Sequence, residues 1–136
     1  MKSYIYALAL SVVFMLAFSS VDAVAQTQTQ EPVDLNQLAE EEADKLARLL
    51  DLEDWQVFYV DSTLKANFFQ LQADLEKLQK SKVTNTNLYV EAKDKCWDEI
   101  DRNYQKWFTQ EQWNAYLKSG AGKLQKQRAK RKEKKQ

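Results

Sequence analysis

From Glu53 to Lys80 the chain carries apolar residues on two opposite sides of one helical period, and this pattern restricts the fold more than any other feature. One stripe reads Val57, Val60, Leu64, Phe68, Leu71, Leu75 and Leu78, in steps of three or four residues. A second set reads Trp55, Phe58, Tyr59, Ala66, Phe69 and Ala73. At about 100° per residue the two sets point roughly 180° apart. A helix on the outside of a bundle needs only one apolar face. This helix is therefore either central in its domain or has one face that meets something outside the monomer. About 28 residues at 1.5 Å each make a rod of roughly 40 Å, long for a small domain.

The neighbouring segments also read as helix. Asp34 is a good N-cap, and Gln37, three residues on, suggests an acidic form of the capping box. Leu35, Leu38, Ala39, Leu46, Ala47, Leu49 and Leu50 follow with helical spacing, and the helix ends near Asp51. Lys80 to Asn87 is a turn region, in which Asn85, Thr86 and Asn87 all compete as caps. A third helix then runs to about Phe108 on the stripe Tyr89, Ala92, Cys96, Ile100, Asn103/Tyr104 and Trp107. Thr109 to Gln112 fits a capping box and opens a short fourth helix, with Trp113, Tyr116 and Leu117 facing inward. Gly120 suits its left-handed C-cap. No strand pattern appears. The expected fold is all-α: an antiparallel hairpin of two long helices with a shorter helix at each end.

The N-terminus reads as an export signal. Lys2 precedes an apolar run from Tyr4 to Phe18, and Ala23-Val24-Ala25 is a small-x-small cleavage site. The apolar run spans 15 residues, fewer than the roughly 20 that a membrane-spanning helix needs. The expected organisation is a signal peptide over 1–25, a disordered leader over 26–33, a helical domain over 34–120 and a basic tail over 121–136. The expected location is the periplasm, or outside the cell.

The composition narrows the chemistry. The chain has no His, which removes His-based triads, Cys–His dyads and most zinc sites. Cys96 is the one cysteine, so no internal disulfide can form. It lies beside Trp97 in an apolar-periodic stretch, as a buried small hydrophobe would; a reactive or dimer-linking thiol is the alternative. There is no glycine-rich loop and no nucleophile elbow. The acidic clusters Glu40-Glu41-Glu42 and Asp98-Glu99-Asp101 read as solvated faces, since adjacent helical positions do not converge on one cation. An enzyme, a metal centre and a cofactor are therefore not expected.

Two segments echo each other. Leu52-Glu53-Asp54-Trp55-Gln56 precedes the long second helix, and Phe108-Thr109-Gln110-Glu111-Gln112 precedes the fourth. Both have the form apolar–cap–x–x–Gln. The pair resembles the LTxxQ motifs of the Spy/CpxP-like family of bacterial periplasmic proteins, over roughly residues 46–117. Glu53 stands where that family has Thr, and Phe108 stands where it has Leu. The motif residues carried over are Leu52, Gln56, Phe108, Thr109 and Gln112. The resemblance implies a small exported helical protein, a cradle-like antiparallel dimer, and binding of unfolded proteins without ATP or an accessory role in envelope stress. The run from Leu49 to Leu64 and the stretch WNAYLKSGA also resemble uncharacterised small secreted proteins of the Bacteroidota, which implies no function.

Two surfaces are candidates for binding. Trp55, Phe58, Tyr59 and Phe69 form a client or dimer face, unless they are ordinary core packed against the first and fourth helices. The tail carries Lys123, Lys126, Arg128, Lys130, Arg131, Lys132, Lys134 and Lys135. Residues 26–120 hold 18 acids and 11 bases, whereas 121–136 holds eight bases and Glu133. A basic tail on an acidic body can bind anionic membrane surface, steer acidic clients, fold back on the body or simply solubilise. Nucleic acid is not expected as a partner of an exported chain. The leading expectation is an exported binding protein for unfolded or envelope proteins, with a homodimer as its candidate assembly. The alternative is a structural, envelope-associated protein that uses its tail.

Overall fold

The computed structural model describes residues 32–136, and every described element is helical. The expected signal peptide and most of the expected leader lie outside the described residues. Helix α1 (Leu35–Leu50) starts on Asp34, whose Oδ1 accepts from the Asn36 amide at 2.9 Å and the Gln37 amide at 3.4 Å. Gln37 does not close the expected capping box. Its side-chain amide donates forward to Glu41 Oε1 at 2.9 Å, one turn along the exposed face. The helix stops where Asp51 turns left-handed, with φ 50°, an arrangement that satisfies the last carbonyls.

Helix α2 (Asp54–Lys80) packs against both α1 and α3 (Thr86–Trp107). Asn85 caps α3 by accepting from the Asn87 amide at 3.0 Å. Cross-contacts fix the direction of α3: Gln56 meets Trp107, Asn67 meets Cys96, and Phe68 meets Trp97. From the first contact to the second the α2 position rises from 56 to 67 while the α3 position falls from 107 to 96, because the five-residue turn at 81–85 reverses the chain. The long hairpin is therefore antiparallel, as the pattern predicts. Helix α4 (Gln110–Tyr116) caps its open end and touches α1.

The core lies along the first stripe of α2. Val60, Leu64, Phe68, Leu71 and Leu75 pack with Leu35, Ala39, Ala43, Leu46 and Leu50 of α1 and with Cys96, Ile100 and Tyr104 of α3. Phe108 and Tyr116 close the end, with the Tyr104 and Phe108 rings stacked at 4.9 Å. Burying each aliphatic side chain contributes about 1.5–3 kcal/mol. Ala43 belongs to this core, whereas Leu49 is exposed. Small residues at 39 and 43 let the α1 backbone lie close to α2.

The largest departure from the sequence reading is at the C-terminus. Residues 121–136 are not a merely solubilising tail; they follow the alternative in which the segment folds back on the acidic body. The chain bends through a π turn at Leu117–Ala121, where Gly120 has φ 112°, and resumes as helix α5 (Gly122–Glu133). Gly120 thus joins two helices where a terminal cap is expected. A tail with few apolar residues cannot pack by the hydrophobic effect, but it can be held by charge, and that is how α5 lies on α3.

Candidate functional site

The four aromatic residues singled out on α2 are not core. Trp55 is 49% exposed, Phe58 67%, Tyr59 45% and Phe69 46%. Ser62, Ala66 and Ala73 continue the same exposed stripe. The contacts with α1 and α3 run along the buried stripe of α2, and apart from Trp107 at one edge they leave this face uncovered. Near the start of α2 the rings form a connected group. Tyr59 stacks on Trp107 of α3 at 5.1 Å and meets Phe58 and Trp55 edge-on at 5.6 and 6.2 Å. The Trp55 indole N–H donates to Glu53 at 2.5 Å, which fixes its orientation. The result is a group of mutually contacting rings with small residues beyond it. Such a surface offers large contact area with little side-chain freedom to lose.

The motif residues are joints of the fold. Gln56 Oε1 accepts from the Glu53 amide and Gln112 Oε1 from the Thr109 amide, each at 2.9 Å. The Thr109 hydroxyl accepts from the Gln112 amide at 3.1 Å, which completes the fourth helix's capping box. The two glutamines then meet each other. Gln56 Nε2 donates to Gln112 Oε1 at 2.7 Å, and Gln112 Nε2 donates back at 3.0 Å. Each also donates to the other segment's backbone: Gln56 to the Trp107 carbonyl at 2.9 Å and Gln112 to the Asp51 carbonyl at 3.5 Å. Trp107 and Asp51 both stand immediately before the apolar residue of their motif. The echo in sequence is therefore a local two-fold in space, in which both side-chain amides use both donors. Leu52 packs at the edge of the core and Phe108 lies inside it.

The eight basic residues of the C-terminus divide into two groups. Arg128 is buried between Asp98, at 2.8 Å from its Nε, and Asp101, which its Nη2 also reaches. Asp101 further accepts from the Tyr116 hydroxyl at 2.6 Å and Gln125 at 3.0 Å. Arg131 holds Asp94 by two bonds of 2.7 Å. Lys132 pairs with Asp98, and Lys135 with Glu91. Asp98 and Asp101 are thus ion-pair partners, not the solvated face expected for that cluster. Burial raises the Asp98 carboxyl, but the hydrogen bonds from Lys132 and Arg128 outweigh it and hold the group below the usual carboxylate range. Lys123, Lys126, Lys130 and Lys134 remain exposed. The acids at 91, 94, 98 and 101 are spaced for one helical face, a signal that was present in the sequence but had no partner until α5 formed.

Cys96 is buried, and its Sγ donates to the Asn67 carbonyl at 3.6 Å. Burial, with a smaller push from the Asp74 charge, raises the thiol to about 12, so it stays protonated and unreactive near neutral pH. A groove of about 950 Å³ lies between the end of α2, α3 and the end of α5. Its lining mixes Leu78, Val83 and Leu88 with charged side chains, and no nucleophile is paired with a base there. Among the described residues, no group of three or more Cys, Asp or Glu side chains is placed to hold a metal ion. No described helix is long and apolar enough to cross a membrane. Compared with protein-family models, curated proteins and solved structures, the chain has no significant match.

Proposed function

We propose that this chain is an exported, non-enzymatic binding protein, akin to the Spy/CpxP-like periplasmic proteins, that takes unfolded or envelope proteins on the aromatic face of α2 without ATP. The exposure of Trp55, Phe58, Tyr59 and Phe69 on one side of a central helix carries this reading. Large aromatic side chains grouped on one exposed face are characteristic of interaction sites. The paired motifs and the N-terminal export pattern support the family kinship. The same face suits a second copy of the chain, so a homodimer belongs to the reading as well.

The test uses residues 26–136. A denatured model client is diluted into buffer with and without the protein, and light scattering is followed. Suppression at near-stoichiometric ratios is expected. The triple variant Trp55→Ser, Phe58→Ser, Phe69→Ser should lose it while melting cooperatively, because exposed substitutions away from special features cost roughly 0.5 kcal/mol or less each. A folded wild type that suppresses nothing, or a triple variant as active as the wild type, would overturn the proposal.

A further inference from the structure

Helix α5 has no apolar anchor. Its one leucine, Leu124, is 38% exposed, Ala129 is exposed, and Arg128 is its only buried residue. Everything that fastens it to α3 is polar: Gln125 and Arg128 on Asp101, Arg128 and Lys132 on Asp98, Arg131 on Asp94, and Lys135 on Glu91. A contact made of ion pairs weakens as salt screens it, and its exposed members weaken most. A helix of 12 residues is marginal once it is detached. Docking and helix formation in α5 are therefore coupled, and they meet the apolar core chiefly through Asp101, which Tyr116 also holds.

The other side of α5 is also basic. Lys123, Lys126, Lys130 and Lys134 follow one another at three, four and four residues and form a single exposed stripe. In the docked state Arg128, Arg131, Lys132 and Lys135 are neutralised by carboxylates of α3, although Lys132 and Lys135 stay exposed. Release frees all eight. An anionic surface therefore gains contacts by detaching the helix, and the acids of α3 compete with it for the same side chains.

We propose that α5 is a charge-held clasp that exchanges between the acidic face of α3 and an anionic phospholipid surface. The choice of lipid among polyanions rests on the export reading, which places the protein away from nucleic acid. With so few apolar residues, α5 binds the surface peripherally, by charge.

The experiment uses residues 26–136. Hydrogen exchange is followed by mass spectrometry as NaCl rises from about 0.1 M to about 1 M, which shortens the screening length from about 10 Å to about 3 Å. Protection of 122–133 should fall by about tenfold or more while α2 and α3 keep theirs. Protection that is insensitive to salt, or that is lost from all helices together, would overturn the clasp. The variant Asp94→Asn, Asp98→Asn should open α5 at low salt and bind vesicles of phosphatidylglycerol and phosphatidylcholine about tenfold more tightly than the wild type. Glu41→Gln, Asp44→Asn makes the same change in net charge on α1 and should not. Equal gains from both variants, equal binding to pure phosphatidylcholine, or a preference for duplex DNA over the anionic vesicles would overturn the lipid exchange.

Discussion

Gln56 is 2% exposed and, with Gln112, joins the starts of α2 and α4. A buried amide in this position can be removed only by leaving backbone groups unpaired. Gln56→Ala strands the Trp107 carbonyl and the Glu53 amide and should cost about 1–3 kcal/mol. Gln112 stands in the matching position, so the two truncations should not add. A double-mutant cycle by urea denaturation should return a coupling of about 0.5–3 kcal/mol. Additive losses would mean that the glutamines act only as separate helix caps. The residue types and their 56-residue separation were legible in the sequence. Their contact was not, because a capping signal is local and says nothing about which other helix start lies beside it.

At the scale of elements, α1 to α4 follow from their own patterns, whereas α5 depends on a partner. Its geometry hinges on Gly120, whose φ of 112° is closed to L side chains. A Cβ built there meets nothing within 4 Å. The cost of Gly120→Ala is therefore conformational and should be about 1–3 kcal/mol. The loss should fall on the docking of α5, seen as reduced helical circular dichroism with little change in the main thermal transition. If the main transition falls instead, the turn at 117–121 is part of the cooperative core. The C-terminal sequence gave a sparse apolar pattern, and by the hydrophobic criterion alone it reads as tail. What the criterion misses is that Asp94, Asp98 and Asp101 present a matching row of charge on α3.

Across the whole molecule, two kinds of bonding divide the fold. The α1–α3 layer is held by apolar burial, which does not titrate, and α5 is held by carboxylates, which do. Asp98 faces Arg128 and Lys132 from α5 and stands near Asp94 and Asp101 on its own helix. Its folded pKa lies below the usual value. Such a group contributes stability above the unfolded pKa, near 3.9, and loses it as pH falls through the folded value. Glu42 runs the other way: burial raises its pKa, so its charge opposes folding near neutral pH and protonation relieves the penalty first. Acidification from pH 7 should thus spare or slightly favour α1, then loosen α5 below about pH 4 while the core helices persist. Hydrogen exchange at stepped pH reads each helix separately. Loss of α2 and α3 before α5 would contradict this division.

The sequence by itself determined the helical class, the long antiparallel pair, the two apolar faces of α2 and the residues that start α1, α2 and α4. These depend on periodicity and capping, which act within a few turns of chain. Tertiary structure decided which apolar face of α2 stays uncovered, since amphipathic spacing marks two faces but not which one its neighbours will occupy. It also decided that two glutamines 56 residues apart share one joint and that a basic segment becomes a helix. Both depend on groups brought together from distant parts of the chain, where hydrogen-bond and charge partners exist only once the core has placed them.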